Sequence, residues 1–102
     1  MPESPMRSKT SYEITSSAAI VANGNVLLTS VLVITDGTNA ATVILYDKPS
    51  ATGIAAENKL WEGTVPGASQ YGGRNWTFPV KCQSGIYCAI TGTGASAIVE
   101  YI

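Results

Sequence analysis

The sequence predicts an all-β sandwich of seven to eight antiparallel strands, Ig-like or jelly-roll in strand order, and three observations carry that prediction. Short apolar runs rich in Val, Ile, Thr and aromatic residues recur along the chain. Clusters of Gly, Asn, Asp and Pro separate them at spacings typical of all-β domains, and no 12-residue window holds a 3.6-residue apolar stripe. At 102 residues the chain suits a single core, expected over residues 12–102.

Taken in order, residues 1–11 read as a short flexible N-terminal arm: "MPESPMRSKT" joins two prolines to alternating charge with little apolar content. Strands are then expected at 12–15, 18–22, 26–35, 41–47, 59–65, 75–81, 85–91 and 96–102. The connections "ANGN" (22–25), "DGTN" (36–39), "QSG" (83–85) and "TGTG" (91–94) supply residues that tolerate positive φ, and they read as hairpin turns or tight corners. The patterned stretch "ITDGTNAATVILYD" (34–47) reads as a hairpin. Two connections are longer: "KPSATGIAAEN" (48–58), with a single helical turn expected around Ile54 to Asn58, and the Gly-rich "PGASQYGGR" (66–74). Loops tolerate variation that strands do not, so Tyr71 and Arg74 of the second, with the adjacent Trp76, are the candidates for an exposed recognition loop.

The strand faces say more than the strand positions. Ala41, Val43 and Leu45 share one face of their strand, and Thr42, Ile44 and Tyr46 share the other, so both faces are largely apolar. In the last strand Ala97, Val99 and Tyr101 lie opposite Ile98, Glu100 and Ile102, while "VLLTSVLVIT" (26–35) is almost unbroken. Outer faces of a two-layer sandwich are polar unless something covers them, so Ile44, Tyr46, Ile98 and Ile102 are the candidate subunit or partner contacts. Composition points the same way. Charged residues make up 13% of the chain against about 25% in an ordinary domain, which leaves little to keep a fully exposed surface soluble.

Several function classes are excluded or disfavoured. Net charge is -1, with six Lys plus Arg against seven Asp plus Glu and no basic run, so phosphate-neutralising nucleic-acid binding is not expected. No stretch approaches the ~20 apolar residues that span a bilayer, and the N-terminus has no continuous apolar h-region, so neither membrane insertion nor Sec-type export is expected. There is no histidine to activate Ser or Thr, no Ser-x-x-Lys or G-x-S-x-G motif, and Glu57, Glu62 and Glu100 are scattered, so no catalytic residue is nominated.

Other constellations have plain structural readings. Asp36, Thr38 and Asn39 offer three oxygen ligands but not the dense acidic spacing of a calcium loop, so a turn is expected and no metal or cofactor is assigned. Asp47, just before "KPS", is expected to end its strand by accepting backbone N–H groups. Cys82 and Cys88 are expected as two buried free thiols, since a cross-strand bridge needs a register that brings them opposite. Trp61, Tyr71 and Trp76 raise a sugar-stacking platform as an alternative to core packing.

Two motifs carry a resemblance. Thr35 to Asp47, "TDGTNAATVILYD", and Gly85 to Tyr101, "GIYCAITGTGASAIVEY", within residues 16–102, resemble small virion structural proteins of tailed bacteriophages of the capsid-decoration or head-fibre type. The resemblance implies a β-sandwich that assembles on a phage particle as a homo-oligomer, a trimer being favoured, and supplies no catalytic residues. The expectation is a non-enzymatic decoration or cement protein bound to the major capsid protein lattice, on the virion surface, after assembly in the host cytoplasm. The alternatives are a tail or head-fibre component, or a carbohydrate-binding module contacting host glycans.

Overall fold

A computed structural model describes residues 8–102. Eight strands form two four-stranded antiparallel sheets: β1 (Lys9–Thr10), β2 (Ala18–Val21), β3 (Val26–Ile34), β4 (Ala41–Tyr46), β5 (Lys59–Val65), β6 (Tyr71–Cys82), β7 (Ile86–Thr91) and β8 (Ser96–Tyr101). The first sheet runs β1-β8-β3-β6 and the second β2-β7-β4-β5. The only helical turns among the described residues are two 3-10 turns, Ala56–Asn58 and Gly67–Ser69, the first lying within the turn expected at 54–58.

The order settles which sandwich this is. β1 pairs with β8, β2 with β7, β3 with β6 and β4 with β5, so the chain behaves as one long hairpin, closed at β4–β5 and wrapped around the core. That is the jelly-roll wrap. An Ig-like order, built on pairs of consecutive strands, is not present.

Four expectations need correction. The stretch 34–47 is not a hairpin: β3 and β4 lie in different sheets, and "DGTN" carries the chain across the sandwich. Of the two readings of "ANGN", "QSG" and "TGTG", hairpin turn or tight corner, the corner holds, because the residues that permit a tight reversal within a sheet equally permit a tight step between sheets. The Gly-rich segment is not a loop to residue 74, since β6 begins at Tyr71 and its first residues pair with β3. Finally, of the expected arm, residues 1–7 lie outside the described residues, while Lys9 and Thr10 pair with Tyr101 and Glu100. The strand expected at 12–15 is a broken continuation of that edge. Tyr12 takes φ +59°, and only Ile14 re-enters the ladder, opposite Ala97.

The core lies between the sheets and follows the alternation read from the sequence. Ala41, Val43 and Leu45 of β4 meet Leu28, Val31 and Val33 of β3, Ile86 and Cys88 of β7, and Ala97 and Val99 of β8, all buried. In β3 the inward positions change phase between Leu28 and Val31. The ladders to β6 and β8 both shift between Leu28 and Ser30, so a bulge there keeps an almost unbroken apolar run facing inward at both ends.

The corners are fastened by side chains. Asp36 Oδ1 accepts the Thr38 and Asn39 N–H groups at 2.9 and 2.7 Å, which is turn chemistry rather than a ligand set. The buried Thr35 hydroxyl donates to the Gly67 carbonyl at 2.8 Å, and a Cβ on Gly67 would lie 2.2 Å from the Thr38 carbonyl oxygen, so only glycine lets these two corners touch. Asp47 does accept backbone N–H groups, but of a distant corner: Gln83, Ser84 and Gly85 donate to its carboxylate at 3.1, 2.8 and 3.3 Å. This single carboxylate ties the β4–β5 connection to the β6–β7 corner. Asp47→Ala is expected to cost about 1–3 kcal/mol in urea unfolding, because three N–H groups lose a charged acceptor at once.

Candidate functional site

The residues singled out for contact divide between two opposite faces. Ile44 and Tyr46 point outward from the second sheet, with Val43 and Leu45 buried behind them, while Ile98 lies on the outer face of the first sheet, opposite Leu32. Ile102 belongs to neither patch: it is half-buried and exchanges two backbone hydrogen bonds with Leu27, at 2.8 and 3.0 Å. The four do not make one surface.

The outer face of the second sheet carries a nearly neutral field. Cross-strand pairing sets Thr91, Thr42 and Thr64 in one row, Ala89, Ile44 and Glu62 in the next, and Tyr87, Tyr46 and Lys59 in the third. Thr42 and Thr64 share a hydrogen bond of 2.9 Å between their hydroxyls. Lys59 Nζ donates to Glu62 Oε1 at 2.6 Å, so the one charged pair in the field is closed on itself, and the carboxylate holds the Lys59 ammonium above its ordinary pKa. Threonine, tyrosine and isoleucine are the residues that pack against a facing surface without demanding a specific ionic partner.

The outer face of the first sheet is uneven. Leu32, Gly73 and Ile98 line an open depression of ≈ 460 Å³ with Ser30, Asn75 and Glu100, while Arg74, paired with the inward-facing Val31, turns its guanidinium to Trp76. Ser30 donates to Glu100 at 2.9 Å across the rim. Gly73 is fixed as the low point. At φ +150° a Cβ there would lie 2.0 Å from the Val31 carbonyl oxygen, so no side chain can fill the floor.

Next to this depression β6 carries the largest irregularity of the sandwich. Leu28 pairs with Val80 and Ser30 with Asn75, so Thr29 alone stands opposite Trp76, Thr77, Phe78 and Pro79. Pro79 has no N–H to give a ladder and marks where the edge strand leaves its partner. Phe78, the only phenylalanine in the chain, is 86% exposed at the crest. It falls inside the strand expected at 75–81, where the "FP" pair is the available signal of a bulge.

Of the expected recognition residues, Tyr71 is 62% exposed and Arg74 is exposed, but all three sit on strand β6. The two tryptophan rings are not coplanar. Trp61 and Trp76 meet edge to face with ring centroids 6.4 Å apart. A Cβ on Gly63 would lie 2.4 Å from the Trp61 ring, which therefore rests on that glycine, and the Arg74 guanidinium lies 5.3 Å from the centroid of the Trp76 ring. The pair stitches the β5 and β6 edges together across the open side of the sandwich, and Trp61 also lines, with Tyr71, an open depression of ≈ 290 Å³.

Among the described residues no three His, Cys, Asp or Glu side chains gather as a metal site. The Asp36 carboxyl is held below its ordinary pKa, first by the Asn39 backbone N–H and then by the Asn39 side-chain amide, so its oxygens are occupied within its own turn. Comparison with known protein families, with characterised proteins and with solved structures finds no match.

Both cysteines are free and buried, Cys82 on β6 of the first sheet and Cys88 on β7 of the second. Burial pushes the Cys88 thiol up to about 12 and, helped by the nearby Asp47 carboxylate, that of Cys82 to about 11. The thiolate is the nucleophile, so at pH 8 the folded protein is expected to resist a thiol-labelling reagent and to take up two equivalents once unfolded in urea. One fast-labelling cysteine in the folded protein would contradict the burial.

Proposed function

We propose that this chain is a non-enzymatic structural protein of a bacteriophage virion, a capsid decoration or cement protein that binds the major capsid protein lattice as a homo-oligomer. The observation that carries the binding part of this reading is the outer face of the second sheet. In its nine-position field the only charges are Lys59 and Glu62, which neutralise one another, and the rest is Thr, Ala, Ile and Tyr. Covering such a face has to desolvate one ion pair at its edge and no unpaired charge, and the other seven positions are uncharged.

The virion setting rests on the resemblance carried by Thr35 to Asp47 and Gly85 to Tyr101. In the fold these two segments are neighbours: β4 comes from the first, β7 and β8 from the second, and β4 and β7 pair through the middle of the field. The jelly-roll wrap is used in viral capsid domains among others, which is an analogy of fold and not of function. A decoration protein meets many equivalent lattice points, so a modest contact per copy suffices once several copies are joined. Trimers are the favoured assembly on the resemblance.

The test is co-sedimentation with empty capsids of the phage whose genome encodes the chain. Wild-type protein is expected to pellet with the particles, and Ile44→Lys, which sets a charge at the centre of the field, to weaken that association at least about tenfold. A glycan array is expected to give no hit that Tyr71→Ala removes. Protein that stays in the supernatant and binds a glycan through Tyr71 would replace this reading with that of a carbohydrate-binding module.

A further inference from the structure

We infer that the copies join head to tail through the first sheet, the Phe78 side chain of one copy seating in the Gly73 depression of the next. The inference rests on the homo-oligomer reading above and adds its contact. It is separate from the capsid-facing field, which lies on the opposite sheet.

The two halves of the contact are built into one strand. The depression has the anatomy of a binding pocket for an apolar anchor: Leu32, which is 38% exposed, Ile98 and the bare backbone of Gly73 form the floor, and polar groups stand around it. Gly73 cannot be replaced by a residue with a side chain without striking the Val31 carbonyl, so the hole is a consequence of the β3–β6 pairing and not of a missing atom. Five residues further along β6, Phe78 lies in the unpaired stretch opposite Thr29. A phenylalanine that is 86% exposed does not fill its own chain's depression.

The match in chemistry selects a second copy as the occupant. Phe78 brings only apolar surface, and the residues preceding and following it, Thr77 and Pro79, carry no charge. The depression's one carboxylate, Glu100, is exposed at its edge, where it accepts the Ser30 hydroxyl at 2.9 Å, so a ring seated on Leu32 and Ile98 does not have to bury it. Pro79 removes a backbone donor from this edge, which disfavours continuous strand-to-strand addition and leaves side-chain insertion as the way for copies to meet here. A knob and a hole at different places on one surface make a heterologous contact, which closes into a ring when the rotation per copy permits and is satisfied in every copy of that ring.

The test is sedimentation velocity on the full chain, with circular dichroism confirming the fold of each variant. Wild type is expected to be a discrete oligomer, and Phe78→Glu, which blocks the knob, and Ile98→Arg, which blocks the hole, are each expected to weaken self-association at least about tenfold. Leu32→Arg serves as a second hole variant should Ile98→Arg unfold. Mixed one to one, the knob and hole variants retain one competent hole and one competent knob between them, and are expected to give a heterodimer and nothing larger. An oligomer that Phe78→Glu leaves intact, or a mixture that stays monomeric, overturns the knob-in-hole contact while leaving capsid binding to be read from the pelleting of each variant. A wild-type chain that is monomeric at high concentration overturns it too, together with the homo-oligomer reading on which it rests.

Discussion

Six of the seven connections between strands carry the chain from one sheet to the other, and only β4 and β5 follow one another within a sheet. The rest of the structure depends on this alternation. Every strand but β5 pairs with a strand distant in sequence, so the corners have to hold backbone groups that no neighbouring hairpin satisfies. They do so with short side chains and bare backbone. Asp36 closes its own turn, Thr35 reaches the Gly67 carbonyl, and Asp47 gathers three N–H groups from a corner 36 or more residues away. The charged residues the chain does possess are largely spent within it, as corner clamps or in contacts such as Lys59–Glu62 and Ser30–Glu100.

Much of this was legible in the sequence, and the part that was not has a physical cause. The strand 59–65 falls where its apolar and β-branched residues place it, and the inward set Ala41, Val43 and Leu45 follows from strict alternation. Pairing was not legible, because turn residues report that the chain reverses and say nothing about which sheet receives it; "DGTN" serves a corner as well as a hairpin. Tyr71 to Arg74 read as loop because paired glycines lower strand propensity. Here Gly72 and Gly73 are demanded by packing, one beneath the Val65 side chain and the other against the Val31 carbonyl, a requirement invisible until the sheets are assembled. Lys9 and Thr10 were read as arm because an edge strand of two polar residues has no alternation to betray it.

The surface divides the work that composition only hinted at. Low charge suggested that some face is covered, without saying which. In the fold the candidates separate into a nearly neutral field on one sheet, centred on Ile44, and a knob with a matching hollow on the other, formed by Phe78 and Gly73. A lattice-binding oligomer needs two such surfaces, one for its support and one for its own copies, on different sides of the subunit. The T-shaped tryptophan pair lies between them and closes the β5 and β6 edges, with the Arg74 guanidinium beside the Trp76 ring.

The claim that the second sheet faces the capsid is tested most directly by hydroxyl-radical footprinting of the protein with and without capsids. Tyr46 and Tyr87, which sit side by side in the field, should lose reactivity on the particle, while Tyr12, which is 76% exposed on the far edge, should keep it. Equal reactivity of Tyr46 and Tyr87 in the free and particle-bound states would contradict the account.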